Sequence, residues 1–441
     1  MNDENANCAH DGEEYAQLSL LQLPVEFFHS AAFQIFLHIC SFLDASTLVH
    51  GLSLVCKQFY LILKDDALLH MWKARINQIW PNATHSLLRP ARPDKLFWKL
   101  SCVAIEKQTA LWKQQDSMEK LINVDTTGDK RYSTYVDPVL LMHNGTICIG
   151  AGELGTLIYW KLPSREECCD EIGNTGYIHL AYDDYMLDLT AIDNTIYSCS
   201  SYGVRTWMLT NTGLVHQRTY DMYGVDADLQ CISSCPERAL FATGYSDGTI
   251  CVFDSRSRNK PIRRYRPGTE PVRQLDMNTE YILSAGSGEI LFDNLVTTVS
   301  VWDQRAGRIV KSIIIPGEEV YPMCMSIQRD WVFIGDQMAK LHMLNLKSNF
   351  ELVKSYSTEH TGWITGVRLT HGCLITSSRD GTVRISSLED PPKPIATLRS
   401  KFRTILSMDY LNDTLAISSH SVLPHSGIEV WRPRSRCNVY S

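Results

Sequence analysis

The stretch "ICIGAGELGTLIYW", Ile147 to Trp160, decides between two folds. Gly150, Gly152 and Gly155 fit G-x-G-x-x-G, the spacing that lets a backbone approach a pyrophosphate at a helix N-terminus. The residues after Gly155 argue otherwise. "TLIYW" is β-branched and aromatic and runs into Pro163, a composition that builds a strand where a dinucleotide site needs a helix. The glycines therefore read as small residues on a crowded strand followed by a hairpin turn.

Working outward, the same pattern recurs. It appears as "LFATGYSDGTICVFD" (Leu240 to Asp254), "LITSSRDGTVRISSL" (Leu374 to Leu388) and, more loosely, "IYSCSSYGVRTW" (Ile196 to Trp207). A stretched copy, "ILSAGSGEILFDNLVTTVSVWD", covers Ile282 to Asp303, a degenerate one covers Val332 to Asn345, and the last ends at Trp431. Each is a run of small and β-branched residues, a turn, and an alternating run that usually closes on an aromatic, which is a hairpin signature. The closing positions are Trp160, Trp207, Phe253, Trp302, Leu344, Ser386 and Trp431. Their spacing, about 40 to 45 residues with slack for inserted loops, is that of a four-stranded propeller blade. Seven positions predict seven blades.

The matches "VWD" at Val301 to Asp303, "VFD" at Val252 to Asp254 and the "SDGT" and "RDGT" turns resemble WD40 repeats. Leu344 and Ser386 depart from the family's tryptophan, and His360 is the nearest survivor of its Gly-His pair. After Trp431 the chain has only ten residues, so the segment "MEKLINVD", Met118 to Asp125, is expected to complete the last blade. Closing the ring by joining both ends removes exposed sheet edges.

The chain ahead of the propeller has a different period. Ile35, Ile39 and Phe42, then Leu48, Leu52, Val55 and Phe59, recur at helical spacing, and Asp44 and Ser46 stand where a helix cap is expected. This small helical unit carries more apolar side chains than it can bury, which points to a docking surface. The segments "LPVE" (Leu23 to Glu26), "ICSFLD" (Ile39 to Asp44), "LSLVCKQFY" (Leu52 to Tyr60) and "HMW" (His70 to Trp72) resemble an F-box. That resemblance implies binding of the adaptor Skp1, and of a cullin through Skp1, by Leu23, Pro24, Ile39, Leu43, Val55 and Cys56. With the propeller behind it, the chain resembles F-box/WD-repeat proteins, the substrate receptors of SCF ubiquitin ligases. The insertion "FFHSAAFQ" lengthens the gap from Pro24 to Ile39 by about two helical turns. It motivates an alternative, a scaffold that assembles proteins without ubiquitin transfer.

The expected organisation is an all-β seven-bladed WD40 β-propeller preceded by a small all-α F-box domain and a helical linker. A disordered acidic N-terminus spans 1–17, the F-box 18–73, the linker 74–116 and the propeller 117–441. In the linker, Leu100, Val103, Ala104 and Leu111 are expected to share one face.

Composition excludes several functions. A net charge of -7 leaves no overall basic footprint, so nucleic acid is not an expected partner. The basic run "SRSRNKPIRRYR", Ser255 to Arg266, reads as a solvated loop between strands. No apolar run is long and charge-free enough for a membrane span. The acidic start "MNDENANCAHDGEEY" is unlike a secretory leader, so a reducing compartment, cytoplasmic or nuclear, is expected. The 14 cysteines lack zinc-site spacing, and the acidic loop around Cys168 and Cys169 blunts thiol reactivity. No metal, cofactor or catalytic residue is expected, since neither H-E-x-x-H nor G-x-S-x-G occurs. Binding is the expected activity, at the loops around one mouth of the propeller. Arg273, Tyr321, Trp363, Arg379 and Arg403 are the candidates for contacting a protein substrate. Arginine forks onto phosphate or carboxylate, and tryptophan anchors interfaces.

Overall fold

A computed structural model describes residues 31–64, 69–79, 95–113, 118–125, 136–152, 155–163, 177–180, 185–210, 213–221, 226–257, 260–266, 268, 270–290, 294–317, 320–370, 372–389, 391–421 and 426–433. Leu23, Pro24, Cys168, Cys169 and the acidic N-terminal segment lie outside them. The chain divides into two units, one of residues 1–110 with 388–390, the other of residues 111–387 with 391–441.

The second unit is a seven-bladed β-propeller. Seven four-stranded antiparallel sheets follow one another in the chain. Blade 1 spans 136–180, blade 2 186–221, blade 3 229–265, blade 4 272–315, blade 5 322–357, blade 6 364–399 and blade 7 404–433. Met118–Asp125 pairs with Ser426–Pro433 and supplies the outermost strand of blade 7, so both ends of the propeller sequence lock the ring, as expected.

The opening stretch forms two strands, Ile147–Gly152 and Thr156–Lys161, with Gly155 at φ +66° in the turn between them. No helix follows the glycines, so the phosphate-binding reading is excluded. The Asp-Gly turns have a chemical cause as well as a conformational one. Asp247 Oδ1 accepts from Thr249 N at 2.9 Å, and Asp380 Oδ1 accepts from Thr382 N at 2.9 Å, so each aspartate fastens its own turn. Gly381, at φ +78°, lies so near blade 7 that a Cβ there would stand 2.6 Å from Arg403 O.

Apolar side chains of adjacent blades interlock. Trp160 lies with Ile428 and Val430 of blade 7, Trp207 with Ile149 and Tyr159 of blade 1, and Phe253 with Tyr197 and Tyr220 of blade 2. Between blades 6 and 7 the cluster includes Ile385, Ile405, Trp431 and the fully buried Trp112. The basic run differs from the expected loop. Arg263–Tyr265 is the outer strand of blade 3, and Tyr265 is buried against Trp302 at 4.2 Å between ring centroids. Arg256 pairs with Asp254, and Arg266 lies 3.9 Å from Asp247.

The first unit is helical: α1 (Ala31–Phe42), α2 (Lys57–Lys64), α3 (Leu69–Ile79) and α4 (Lys95–Lys113), whose last turn belongs to the propeller unit. Asp44 caps the turn Thr47–Gly51, accepting from Thr47 N and Thr47 Oγ1 at 2.8 Å each. Ser46 makes no side-chain cap bond. The fully buried stripe of α4 lies beside the apolar face read from the sequence, whose Val103, Ala104 and Leu111 are half-buried. Leu100 is 56% exposed, while Cys102, Ile105, Thr109 and Trp112 are buried. Those four repeat at three and four residues too, so helical spacing alone did not choose between the two stripes.

Candidate functional site

Two surfaces emerge. The first lies on the helical unit. Phe33, Phe36 and Cys40 of α1 are buried, whereas Ile35, Ile39 and Phe42 are 61, 51 and 76% exposed. Leu54 and Val55, in the short helical turn before α2, are 82 and 68% exposed, and Cys56 is exposed. Leu43 is half-buried. Of the sequence-derived adaptor residues, the structure therefore leaves Ile39, Val55 and Cys56 open to a partner, and Leu23 and Pro24 are not described.

A polar staple unrecognised in the sequence holds this unit. Arg75 of α3 pairs with Glu106 of α4 through Nε and through Nη2 at 3.2 Å. Its Nη1 donates to Cys40 O at 3.0 Å and Nη2 to Leu43 O, so the guanidinium binds the carbonyls at the C-terminal end of α1. Glu106 Oε2 accepts from Ala45 N at 2.6 Å. Three helices and the α1 exit meet on one ion pair. No local sequence pattern marks a pair 31 residues apart.

The second surface is the propeller mouth and its channel. Arg379 stacks on Trp363, its Cζ 4.0 Å from the ring centroid, and Arg379 N donates to Trp363 O at 2.9 Å. The close approach of Gly381 to Arg403 O brings Arg403 to the same corner between blades 6 and 7. Arg273 instead lines the central channel, and Tyr321 is half-buried at the start of blade 5 with its carbonyl accepting from Gln337 N at 3.2 Å. Neither is joined to the Trp363 corner by a described hydrogen bond or ring contact. Three of the five candidates are thus assembled, and two stand elsewhere.

The channel has a volume of about 610 Å³ and is lined by Asp137, Asp188, Asp276, Asp409 and Arg368. These side chains fasten neighbouring blades. Asp188 Oδ2 accepts from Ile232 N at 3.1 Å, Asp276 Oδ2 from Ile327 N at 2.6 Å, and Asp409 Oδ2 from Leu141 N at 2.8 Å. Ser233 Oγ donates to Asp276 Oδ1 at 2.8 Å, and Arg368 Nη2 to Asp409 Oδ1 at 3.2 Å. Burial, then the charge of Asp188, pushes the Asp137 carboxyl up to about 7 against the opposing charge of Arg379. Burial likewise raises Asp188 to about 6, although backbone N–H donors of Ile232 and Leu189 oppose it. The sequence held a signal for this belt: Asp188 and Asp409 each interrupt a predominantly apolar strand.

Two histidines, His360 and His342, are buried and hydrogen-bonded. His360 links Asp380 Oδ2 at 3.0 Å to Thr376 Oγ1 at 2.9 Å, a network within blade 6. Burial opposes ionisation of Asp380, but donors from His360, Thr382 and Thr361 hold its carboxyl well below the usual range. In blade 5, His342 bridges Asp336 Oδ2 at 3.0 Å and Ser355 Oγ at 2.8 Å, with His342 and Asp336 fully enclosed. These arrangements build blades. Among the described residues no group of His, Cys, Asp and Glu is disposed to hold a metal ion, and no helix is long and apolar enough to cross a membrane.

Comparison with known proteins matches segments of both units to family models. An F-box-like model matches residues 20–72, and a WD domain, G-beta repeat model matches residues 217–254 and 350–385. F-box/WD repeat-containing protein 9 of Bos taurus is 26% identical over 432 residues, covering 96% of this chain and 85% of its own length. The Homo sapiens protein of the same name is 24% identical over 424 residues, covering 94% and 82%. F-box/WD repeat-containing protein mec-15 of Caenorhabditis elegans is 22% identical over 341 residues, covering 73% and 75%. The chain therefore joins an F-box-like segment to a WD-repeat propeller, the organisation of the F-box/WD-repeat proteins.

Proposed function

We propose that this chain is the substrate-recognition subunit of an SCF (Skp1-cullin-F-box) ubiquitin ligase. The observation that carries the reading is the F-box-like segment whose Ile35, Ile39, Phe42, Leu54 and Val55 remain exposed, in a chain that also carries a propeller. Large apolar side chains grouped on a small unit are costly in water and favour a standing partner. In this reading Skp1 covers that face, with Leu23 and Pro24 contributing, and the cullin joins through Skp1. The chain binds and positions, and a separate enzyme transfers ubiquitin.

The propeller selects the target protein. Trp363 supplies a planar apolar surface, and Arg379, held over it, and Arg403 supply cations that fork onto a carboxylate or phosphate of the target. The compartment is cytoplasmic or nuclear, in keeping with ten described cysteines that carry no disulfide.

Co-purification with Skp1 tests the reading. The wild type is expected to retain Skp1, and the double variant Ile39→Glu/Val55→Glu to lose it while keeping its circular dichroism spectrum. Retention by the double variant at wild-type level, or no capture by the wild type, overturns the assignment. Stable protein partners without Skp1 or a cullin are the result expected of a scaffold.

A further inference from the structure

The first strand of every blade is interrupted at the same place. Its register against the second strand slips by one residue just inside the mouth where Trp363 and Arg379 stand, in all seven sheets. A bulge leaves a residue unpaired and re-aims its side chain. The re-aimed residues are Asp137, beside Pro138, in blade 1, Leu187 in blade 2, Gln230 in blade 3 and Arg273 in blade 4. Met323, Thr365 and Leu406 take the same place in blades 5 to 7. All seven side chains line the channel, and all are exposed or half-buried, so the bulges form an open throat above the aspartate belt.

The throat is uneven around its circumference. In blade order Asp137 stands between Leu406 and Leu187, a carboxyl flanked by two aliphatic side chains, and Asp188 follows on the same wall. Among the described residues Asp137 accepts from Ser418 Oγ at 3.5 Å, the outer limit of a hydrogen bond, and it forms no ion pair. Gln230 and Arg273, on the next two blades after Leu187, have no side-chain partner among the described residues. The lining as a whole holds five carboxyl side chains against two guanidinium groups, with neither lysine nor histidine, and Arg368 is already engaged by Asp409.

We propose that this throat receives a lysine or arginine side chain of the target polypeptide, with the cation at Asp137 and the aliphatic stem against Leu406 and Leu187. A long basic side chain joins an apolar stem to a charged head, the pairing that this arc presents in reverse. The acidic lining of a narrow channel favours a cation and repels an acidic side chain. Gln230 carries a carboxamide, donor and acceptor like the peptide group, and Arg273 is a donor for a carbonyl, so the far wall suits the backbone that bears the side chain. The channel volume of about 610 Å³ is of the size that encloses a small ligand. The proposal rests on the reading of the propeller as the target-binding part and needs no adaptor.

Methyl NMR on the full chain with isotopically labelled methionine tests this, at about pH 8, where Asp137 is ionised. The probes are the N-acetyl N-methylamides of lysine, arginine and norleucine, and n-butylamine. Both basic amides are expected to bind saturably and about tenfold more tightly than the norleucine amide, the equivalent of one charge-assisted hydrogen bond. Asp137→Asn is expected to lower their affinity to the norleucine level, and Leu187→Arg, which sets a cation next to Asp137 in the throat, to abolish saturable binding. No saturable binding of either basic amide to the wild type, equal binding of the norleucine amide, or wild-type affinity in Asp137→Asn overturns the proposal. n-Butylamine binding as tightly as the lysine amide overturns the polypeptide assignment. On the wild type alone, the Met323 methyl resonance is expected to shift with the basic amides while that of Met208, in the third strand of blade 2, stays in place. A stationary Met323 contradicts the proposal even where the variants fail to fold. Because Skp1 is absent from the measurement, a failure here leaves the adaptor assignment standing, and a failure of Skp1 capture leaves this result intact.

Discussion

The helical unit leaves Ile35, Phe42 and Val55 at 61, 76 and 68% exposure, whereas the propeller encloses Phe253, Trp207 and Trp160 to 1, 2 and 3%. Both regions are rich in apolar residues, but they use them differently. In the propeller every blade is a template for its neighbour, so a large side chain finds a complementary wall within the chain. Among the described residues the helical unit has four α-helices and the Arg75–Glu106 pair as its polar staple, and one stripe of α1 is left exposed. Apolar surface stays open to solvent in the one region and is enclosed between blades in the other.

Four substitutions break or sharpen this contrast. Trp207→Ala removes an enclosed ring and its hydrogen bond to Ser198 Oγ, and it is expected to cost about 4 kcal/mol in a denaturant melt of the propeller. Arg75→Met removes the charge partner of the half-buried Glu106 and the guanidinium donors to Cys40 O and Leu43 O, and is expected to destabilise the helical unit by about 3 kcal/mol. Hydrogen exchange resolved by region should show the propeller unchanged in that variant.

Asp137→Asn acts through pH. The folded-state value of about 7 lies above the roughly 3.9 of an unfolded chain, so the native state binds a proton that the unfolded state has released between those values. Stability therefore falls as pH rises through that window. The variant should melt a few degrees higher than the wild type at about pH 7.5, and the difference should shrink toward about pH 4. Asp188 leaves a residual slope of the same sign. The smallest effect on stability is expected of Val55→Glu, within about 0.5 kcal/mol of wild type by thermal melt, since the side chain is already in water.

The propeller was legible because its evidence repeats. Seven closing positions, read from alternation and turns, fall at equivalent register in seven sheets, and even the substitutes Leu344 and Ser386 keep their place. The helical unit offered one copy of each signal. In α1 the stripe Phe33, Phe36 and Cys40 and the stripe Ile35, Ile39 and Phe42 are both apolar at helical spacing, and only tertiary packing decides which is buried. In α4 two neighbouring stripes likewise share helical spacing, and packing buries the one of Cys102, Ile105, Thr109 and Trp112 more fully. At the mouth, the Asp-Gly turn placed Arg379 beside Trp363 correctly, because the turn is local. The separation of Arg273 and Tyr321 from that corner depends on which blades they occupy and how the ring closes. The channel belt spans blade boundaries and so left only its apolar-strand interruptions as a trace.

Hydrogen exchange of the full chain with and without saturating Skp1 tests the central claim most directly. Exchange is expected to slow across Ala31–Phe42 and residues 52–60 and to remain unchanged in the seven blades. Protection confined to the propeller, or no protection in the helical unit, would contradict the assignment of that face as the adaptor site.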